Sequence, residues 1–287
     1  MKALFLGTGA AEAIPSMFCR CDYCNYAREN GGKDVRTRTS MSIGEKYMFD
    51  FSPDANYQHV RENIDYYDLE HLMVTHSHDD HLSYMEVMIK QCAIEKNGIP
   101  IKIYMSHPAA EWLKNVIAQY GYDENYGAQK QALYNLVPLD YFSTYDIGEF
   151  KAYTIKGSHK AYGKDELSIN YLLEKKDGKK MLYATDTGYY LDDTWEYLKG
   201  HRLDELVMEC TFGGRNRGKH VFGHLDVYNY IDMLDEMARI GLIDDKTRLY
   251  TTHINHKHNM LHKDLEDFFA ASDYNVEVAY DGMSFDF

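Results

Sequence analysis

Short apolar runs that stop abruptly at polar residues alternate along the chain with stretches of helical spacing. Lys2 to Leu6 reads as a first strand closed by the turn Gly7-Thr8-Gly9. Ser40 to Ile43, Glu45 to Phe51, the run Leu72-Met73-Val74, Ile101 to Met105, Phe150 to Ile155, Leu203 to Glu209, Arg248 to Thr252 and Val276 to Ala279 also have strand character. Ser168 to Glu174 and Lys179 to Tyr183 make a hairpin around Asp177-Gly178, a favoured turn pair. Residues 54 to 66, 82 to 96, 109 to 135 and 225 to 240 are expected helices. Leu82, Met85, Met88 or Ile89, and Cys92 line one face of the second, with Gly98 as terminator. Leu225, Tyr230, Ile231, Leu234 and Met237 line the last, which Gly241 ends. No solenoid period and no low-complexity linker divides the pattern, so residues 1–287 are expected to form one domain.

Chemistry-bearing residues gather where the apolar runs stop. Behind Leu72-Met73-Val74 comes Thr75-His76-Ser77-His78-Asp79-Asp80-His81. In an extended segment alternate residues point the same way, so His76 and His78 can reach one metal ion together. Asp80 and His81, past the turn, can reach a second ion beside it. Fourteen His in 287 residues make a chance pair cheap, but not three His and an Asp directly behind an apolar strand. Imidazole and carboxylate suit Zn, Mn, Fe or Ni alike. Asp50 reads either as the carboxylate that holds a ligand His or as a solvated turn residue. His107 reads as a turn residue, and His159 and Asp186 stand at strand ends. His224 closes a loop, residues 213–223, that holds four glycines and three basic residues. It stands at an expected helix start, where free N–H groups and the helix dipole favour an anion. Arg248 to Thr252 leads into His253, His256 and His258.

Composition narrows the class. No run of 18 apolar residues occurs, so no transmembrane helix is expected. The N-terminal apolar stretch is too short for a signal peptide, which points to a cytoplasmic protein. The net charge of −14 disfavours broad nucleic-acid binding but not a small anionic substrate beside bound metal ions. Of five Cys, Cys19, Cys21 and Cys24 crowd together; an odd count at tight spacing favours metal over disulfide. Three thiolates can close three corners of a zinc tetrahedron, with a fourth ligand from elsewhere. Cys92 and Cys210 are expected to pack in the core. The 26 Tyr are expected mostly at core rims and on the surface.

The Thr-His-x-His-x-Asp-His run at 75–81 resembles the signature of the metallo-β-lactamase superfamily at every motif position. The resemblance implies an α/β fold, an αβ/βα four-layer sandwich with a dinuclear metal site at one end of its two sheets, and it implies hydrolysis. On that pattern His76, His78 and His159 hold one ion, Asp80, His81 and His253 the other, and Asp186 bridges. Two catalytic divalent ions, Mn or Zn, follow. Gly7-Thr8-Gly9 with Pro15 and the Cys loop, Gly223-His224-Leu225-Asp226, Thr252-His253-x-x-His256, and Ala279-Tyr280-Asp281-Gly282-Met283 resemble the phosphodiesterase branch. Within it the likeness is greatest to the phosphoribosyl 1,2-cyclic phosphate phosphodiesterases of phosphonate breakdown. That group implies one structural Zn on Cys19, Cys21, Cys24 and His256, with His258 outside the matched spacing. It also implies that His224 contacts phosphate and serves as a general acid, beside Asp80 in the catalytic set. The implied partner is a small anionic phosphodiester, with no membrane, nucleic acid disfavoured, and a homodimer left open. Extra length around residues 118–146 and 211–223 leaves the substrate open. A carbonyl-centre hydrolase acting on a lactone or thioester is the alternative, and a non-catalytic ligand carrier and a tRNA 3′-processing nuclease are less favoured.

Overall fold

The computed structural model describes residues 1–95, 97–119, 133–258 and 260–287. Its first sheet takes β1 (Lys2–Gly7), β2 (Ser40–Ile43), β3 (Tyr47–Phe49), β4 (His71–Met73), β5 (Ile101–Ser106) and β6 (Tyr134–Leu139). The second takes β7 (Thr144–Ile147), β8 (Phe150–Lys160), β9 (Leu167–Glu174), β10 (Lys180–Ala184), β11 (Glu205–Glu209), β12 (Arg248–Thr252) and β13 (Val276–Val278). The last strand, β14 (Ser284–Asp286), returns to the first sheet and pairs antiparallel with β1. The orders are β14-β1-β2-β3-β4-β5-β6 and β13-β12-β11-β10-β9-β8-β7. Each sheet has an antiparallel half and a parallel half, the latter β3 to β6 in one and β10 to β13 in the other.

The apolar positions bury three layers of contact. Phe5, Met41, Phe49 and Met73 of the first sheet meet Phe150, Tyr171, Tyr183 and Val207 of the second. Helices α2 (Ala55–Glu62), α3 (Tyr84–Met88) and α4 (His107–Gln119) cover the first sheet through Ala55, Val87, Ala109 and Leu113. Helices α1 (Asp22–Asn30), α5 (Asp192–Leu198), α6 (Val227–Arg239) and α7 (His262–Ala270) cover the second through Tyr23, Leu198, Tyr230, Leu234 and Phe269. This is the expected αβ/βα order of four layers.

Several expectations need correction. Tyrosines form much of the interior, not only its rim: Tyr23, Tyr171, Tyr183, Tyr190, Tyr230 and Tyr250 are among the largest fully buried side chains. Burial is tolerable where the hydroxyl finds an acceptor. That of Tyr171 donates to the Val74 carbonyl at 2.8 Å and the Tyr104 carbonyl at 3.1 Å, tying the exit of β4 to the middle of β5. The helix expected over 82–96 shrinks to α3 and a 3₁₀ turn, Ile89–Cys92. Leu82 cannot start it, because it bridges Phe51 in extended form and the Ser83 N–H donates to the Phe51 carbonyl. Cys92 is accordingly exposed, not core. The helix expected over 109–135 holds to Gln119; Tyr134–Leu139 is strand β6, and 120–132 lies outside the described residues. Pro138 fits there because β6 is an edge strand of the described sheet. His107, expected as a turn residue, is the first residue of α4.

Candidate metal centre

The loops that leave the parallel strands at their carboxyl ends converge, the usual place for a site in an open α/β sheet. After β4 the chain delivers His76, His78, Asp80 and His81; after β10, Asp186; after β12, His253. His159 comes from β8 itself, where the pairing with β9 shifts register between Lys156 and Lys160. Such an irregularity re-aims a side chain. Asp50 and His253 adopt φ of 55° and 58°, so the chain turns sharply as it leaves β3 and β12. Non-glycine residues hold that conformation only where the surroundings impose it. The Ser168 hydroxyl donates to the Asp186 carbonyl at 2.6 Å, and the Asn170 amide to the Thr185 carbonyl at 2.8 Å, so β9 fixes the loop that carries Asp186.

All seven residues expected around the two ions come together. His76, His78, His159 and Asp186 form one group of potential ligand atoms within 4.8 Å of one another, and Asp80, His81 and His253 form a second. The Asp186 carboxylate lies between them. Its Oδ2 is 3.6 Å from His76 Nε2 and 3.8 Å from His159 Nε2, while its Oδ1 is 3.1 Å from His253 Nε2 and 3.4 Å from His81 Nε2.

The chemistry of these donors fits divalent cations. The Nδ1–H of His159 donates to the Gly223 carbonyl at 2.9 Å, and that of His81 to the Asp50 carboxylate at 2.7 Å. In each neutral imidazole the inward Nε2 is then a bare lone pair. Yet His159 Nε2 faces His78 Nδ1 at 3.2 Å, and His81 Nε2 faces His253 Nε2 at 3.2 Å. Lone pairs and carboxylates that converge so closely call for positive charge between them. Without ions, burial would push His81 down, but Asp186, Asp80 and Asp50 outweigh it and hold the imidazole well above its usual range. Burial would likewise raise the Asp80 and Asp186 carboxyls, yet the neighbouring histidines hold both well below the usual range. Asp50 is fully buried and also accepts the Thr75 N–H at 2.8 Å, so it is the holder of His81 and not a solvated turn.

His224 stands beside the Asp186 carboxylate, its Nδ1 3.9 Å from Asp186 Oδ2 and 2.8 Å from Glu209 Oε1. The expected helix start does not hold it. Helix α6 begins at Val227, and the Asp226 side chain accepts the Tyr228 and Asn229 N–H groups, so those donors are spent on the cap and not on an anion. The holder is Glu209, a residue the sequence reading placed only in a strand. Its buried carboxylate also accepts the Thr187 N–H at 2.8 Å and the Thr211 N–H at 3.1 Å. A charged residue closing the apolar run Leu206-Val207-Met208 was the available signal. Burial alone would push His224 down, but Glu209 and Asp186 outweigh it and hold the imidazole up at about 9 in the absence of ions.

The Cys loop forms a separate cluster. Cys19, Cys21, Cys24 and His256 offer ligand atoms within 4.8 Å of one another. His256 Nδ1 lies 3.5 Å from Cys21 Sγ and 3.7 Å from Cys19 Sγ. His258 is not in the cluster; its ring packs on Phe212 at 4.9 Å. Burial pushes the Cys24 thiol up to about 11, so a cation would be needed to hold it as thiolate. Cys210 is buried, as expected. His107 is exposed and lies 3.5 Å from Asp140.

The Beta-lactamase superfamily domain matches residues 46–254, and the chain belongs to that family with a metallo-β-lactamase fold. The chain is similar to a coenzyme PQQ synthesis protein B of Methylococcus capsulatus, 23% identical over 312 residues that take in 97% of each chain. A ribonuclease Z of Trichodesmium erythraeum is 21% identical, over 90% of this chain and 92% of that one. Among solved structures, a diphosphatase from the PhnP family superposes with a TM-score of 0.71 at 20% identity, over 99% of this chain and 97% of the other. Zinc-bound PqqB from Methylobacterium extorquens gives 0.71 at 17% identity over all of both chains. At these identities the two structures attest the shared fold. Among the described residues no helix is long and apolar enough to cross a membrane.

Proposed function

We propose that the chain is a dinuclear metal-dependent phosphodiesterase acting on a small cyclic phosphodiester, with phosphoribosyl 1,2-cyclic phosphate as the type. His76, His78 and His159 would hold one divalent ion, Mn or Zn, and Asp80, His81 and His253 the other, with Asp186 bridging. Cys19, Cys21, Cys24 and His256 would hold a structural zinc. When bound, the two catalytic ions would neutralise phosphoryl charge and supply an ionised water near neutral pH. The protein's own side chains do the rest. Asp50 and the Gly223 carbonyl fix the ring orientations of His81 and His159. Displacement at phosphorus pushes negative charge onto the leaving oxygen, which needs a proton donor beside the ions. His224, only 20% exposed, has Nδ1 committed to Glu209, which leaves Nε2 to give that proton.

The observation that carries this reading is the Glu209–His224 pair beside the bridging carboxylate. Similarity along most of its length to a ribonuclease Z supports phosphodiester chemistry, and the net charge of −14 favours a small substrate over a polymer. The test is His224→Ala with metal content measured alongside turnover. Metal content should hold, and kcat on a cyclic phosphodiester should fall about 10²-fold, the scale for a positioned acid. The loss should shrink on a p-nitrophenyl ester, whose leaving group needs no proton. No loss on either ester would remove the donor and favour the lactone or thioester reading.

A further inference from the structure

The segment between β8 and β9 sets an aromatic ring against the metal centre, and no ligand role accounts for it. The root of the segment is Glu166, a carboxylate only 1% exposed. It accepts the Ser77 backbone N–H at 2.8 Å, the Ser77 hydroxyl at 2.5 Å and the Gly163 N–H at 2.7 Å. Ser77 sits between His76 and His78, and its hydroxyl oxygen in turn accepts the Tyr162 N–H at 3.0 Å. Gly163 comes so close to α4 that a Cβ there would stand 2.6 Å from the Pro108 carbonyl oxygen. The backbone around Tyr162 is thus fixed to the ligand loop on one side and to α4 on another.

The Tyr162 ring is held just as closely. It lies edge-on to the His78 imidazole, centroids 4.7 Å apart at 67°, and 5.4 Å from the Trp112 ring. Its hydroxyl donates to the exposed Asp79 carboxylate at 3.0 Å. Half of the residue, 50%, nevertheless faces solvent. Glu166 builds the root without help from the ring. Immobilising a half-exposed aromatic costs rotamer freedom and leaves apolar area in water. The contacts with His78, Trp112 and Asp79 hold the ring, and its open half remains available to a ligand. Because the hydroxyl proton is already committed to Asp79, the hydroxyl can only accept, and the rest of the open side chain is apolar surface that offers stacking and dispersion. That favours a planar aromatic group, which can stack along the ring, over a bare sugar, most of whose hydroxyls would lie against apolar surface.

We propose that Tyr162, backed by Trp112, is a specificity-determining residue that stacks the aromatic substituent of a phosphodiester whose phosphoryl group lies at the metal centre. This rests on the phosphodiester chemistry proposed above and narrows its substrate to an ester that carries an aromatic group, in place of the phosphoribosyl type. The test compares adenosine 2′,3′-cyclic phosphate with ribose 2,3-cyclic phosphate, the same ester without its base, on metal-loaded enzyme. Wild type should favour the adenosine ester. Tyr162→Ala should cost about tenfold in kcat/KM on that ester, carried by KM, the usual scale for a lost stacking contact. Its loss on the ribose ester should be several-fold smaller, and Tyr162→Phe should keep the wild-type preference. An equal loss on both esters, or a loss of metal, would make the ring a prop for His78 and overturn the platform alone. So would no loss on either. Failure of wild type to turn over either ester would overturn the platform, while the phosphodiester reading is decided by the cyclic and p-nitrophenyl esters of its own test.

Discussion

Asp50 shows how a single carboxylate decides the tautomer of a neighbouring imidazole. It takes the Nδ1–H of His81 at 2.7 Å and the Thr75 N–H at 2.8 Å, and so commits His81 Nε2 to the centre as an acceptor. Asp50→Asn keeps the shape but replaces one acceptor oxygen with an amide that cannot accept. Metal affinity should fall about 10- to 100-fold, the usual cost of losing such a support. Competition with a chelator measures it, and unchanged affinity would remove Asp50 from the centre. At this scale the sequence was legible in proportion to locality. Four of the proposed ligands lie within six positions behind one strand, and their spacing alone marks them as a group. Glu209 and Glu166 were not legible, because their roles depend on His224 and Ser77, 15 and 89 positions away. Nothing local marks a strand-end carboxylate as the partner of a distant ring.

Elements were legible where two neighbouring strands could satisfy them and illegible where a tertiary contact overrode the local pattern. Residues 82–96 have helical spacing, yet the Leu82–Phe51 bridge holds the entry extended and leaves Met85 and Ile89 more than half exposed. Strand β14 is only three residues and exists because β1 offers it an edge. The Cys loop is the opposite case. Its tight spacing announces a metal, and the fold adds His256 from the far end of the chain, 235 positions from Cys21. If this cluster holds zinc, it clips the segment before α1 to the segment after β12. Elemental analysis of wild type should then give about three ions per chain, and Cys21→Ser about two. Because ligand binding in the native state adds to folding free energy, Cys21→Ser should also melt several degrees lower. Retained zinc with an unchanged melting temperature would leave these thiols without a metal.

Across the whole molecule, the two ends of the chain are joined through a buried cation. Arg36 is 1% exposed, and its guanidinium donates to the Thr8 hydroxyl at 2.8 Å, the Ala279 carbonyl at 2.6 Å and His262 Nδ1 at 2.9 Å. His262 donates its Nε2–H to Glu266 at 2.9 Å, and its backbone N–H goes to Asp34. A proton on Nδ1 would break the Arg36 bond and set two cations against each other inside the protein. Burial first, then Arg36 and Lys33, push the His262 imidazole down to about 4. Between that value and the ordinary 6.5 or so of an unfolded histidine, the unfolded chain binds a proton that the folded chain does not. Stability therefore rises with pH across this window. The contribution is fully present above about 6.5 and is lost as pH falls toward 4. Its size is roughly 1–3 kcal/mol, discounted because Glu266 is partly exposed. His262→Asn keeps an acceptor for Arg36 and does not titrate. Its denaturation midpoint should change less between pH 6.5 and 4 than that of wild type, with both proteins loaded with metal alike so that ligand protonation cancels in the comparison. Equal slopes for the two proteins would mean that the His262–Arg36 contact does not set the acid limit of the fold.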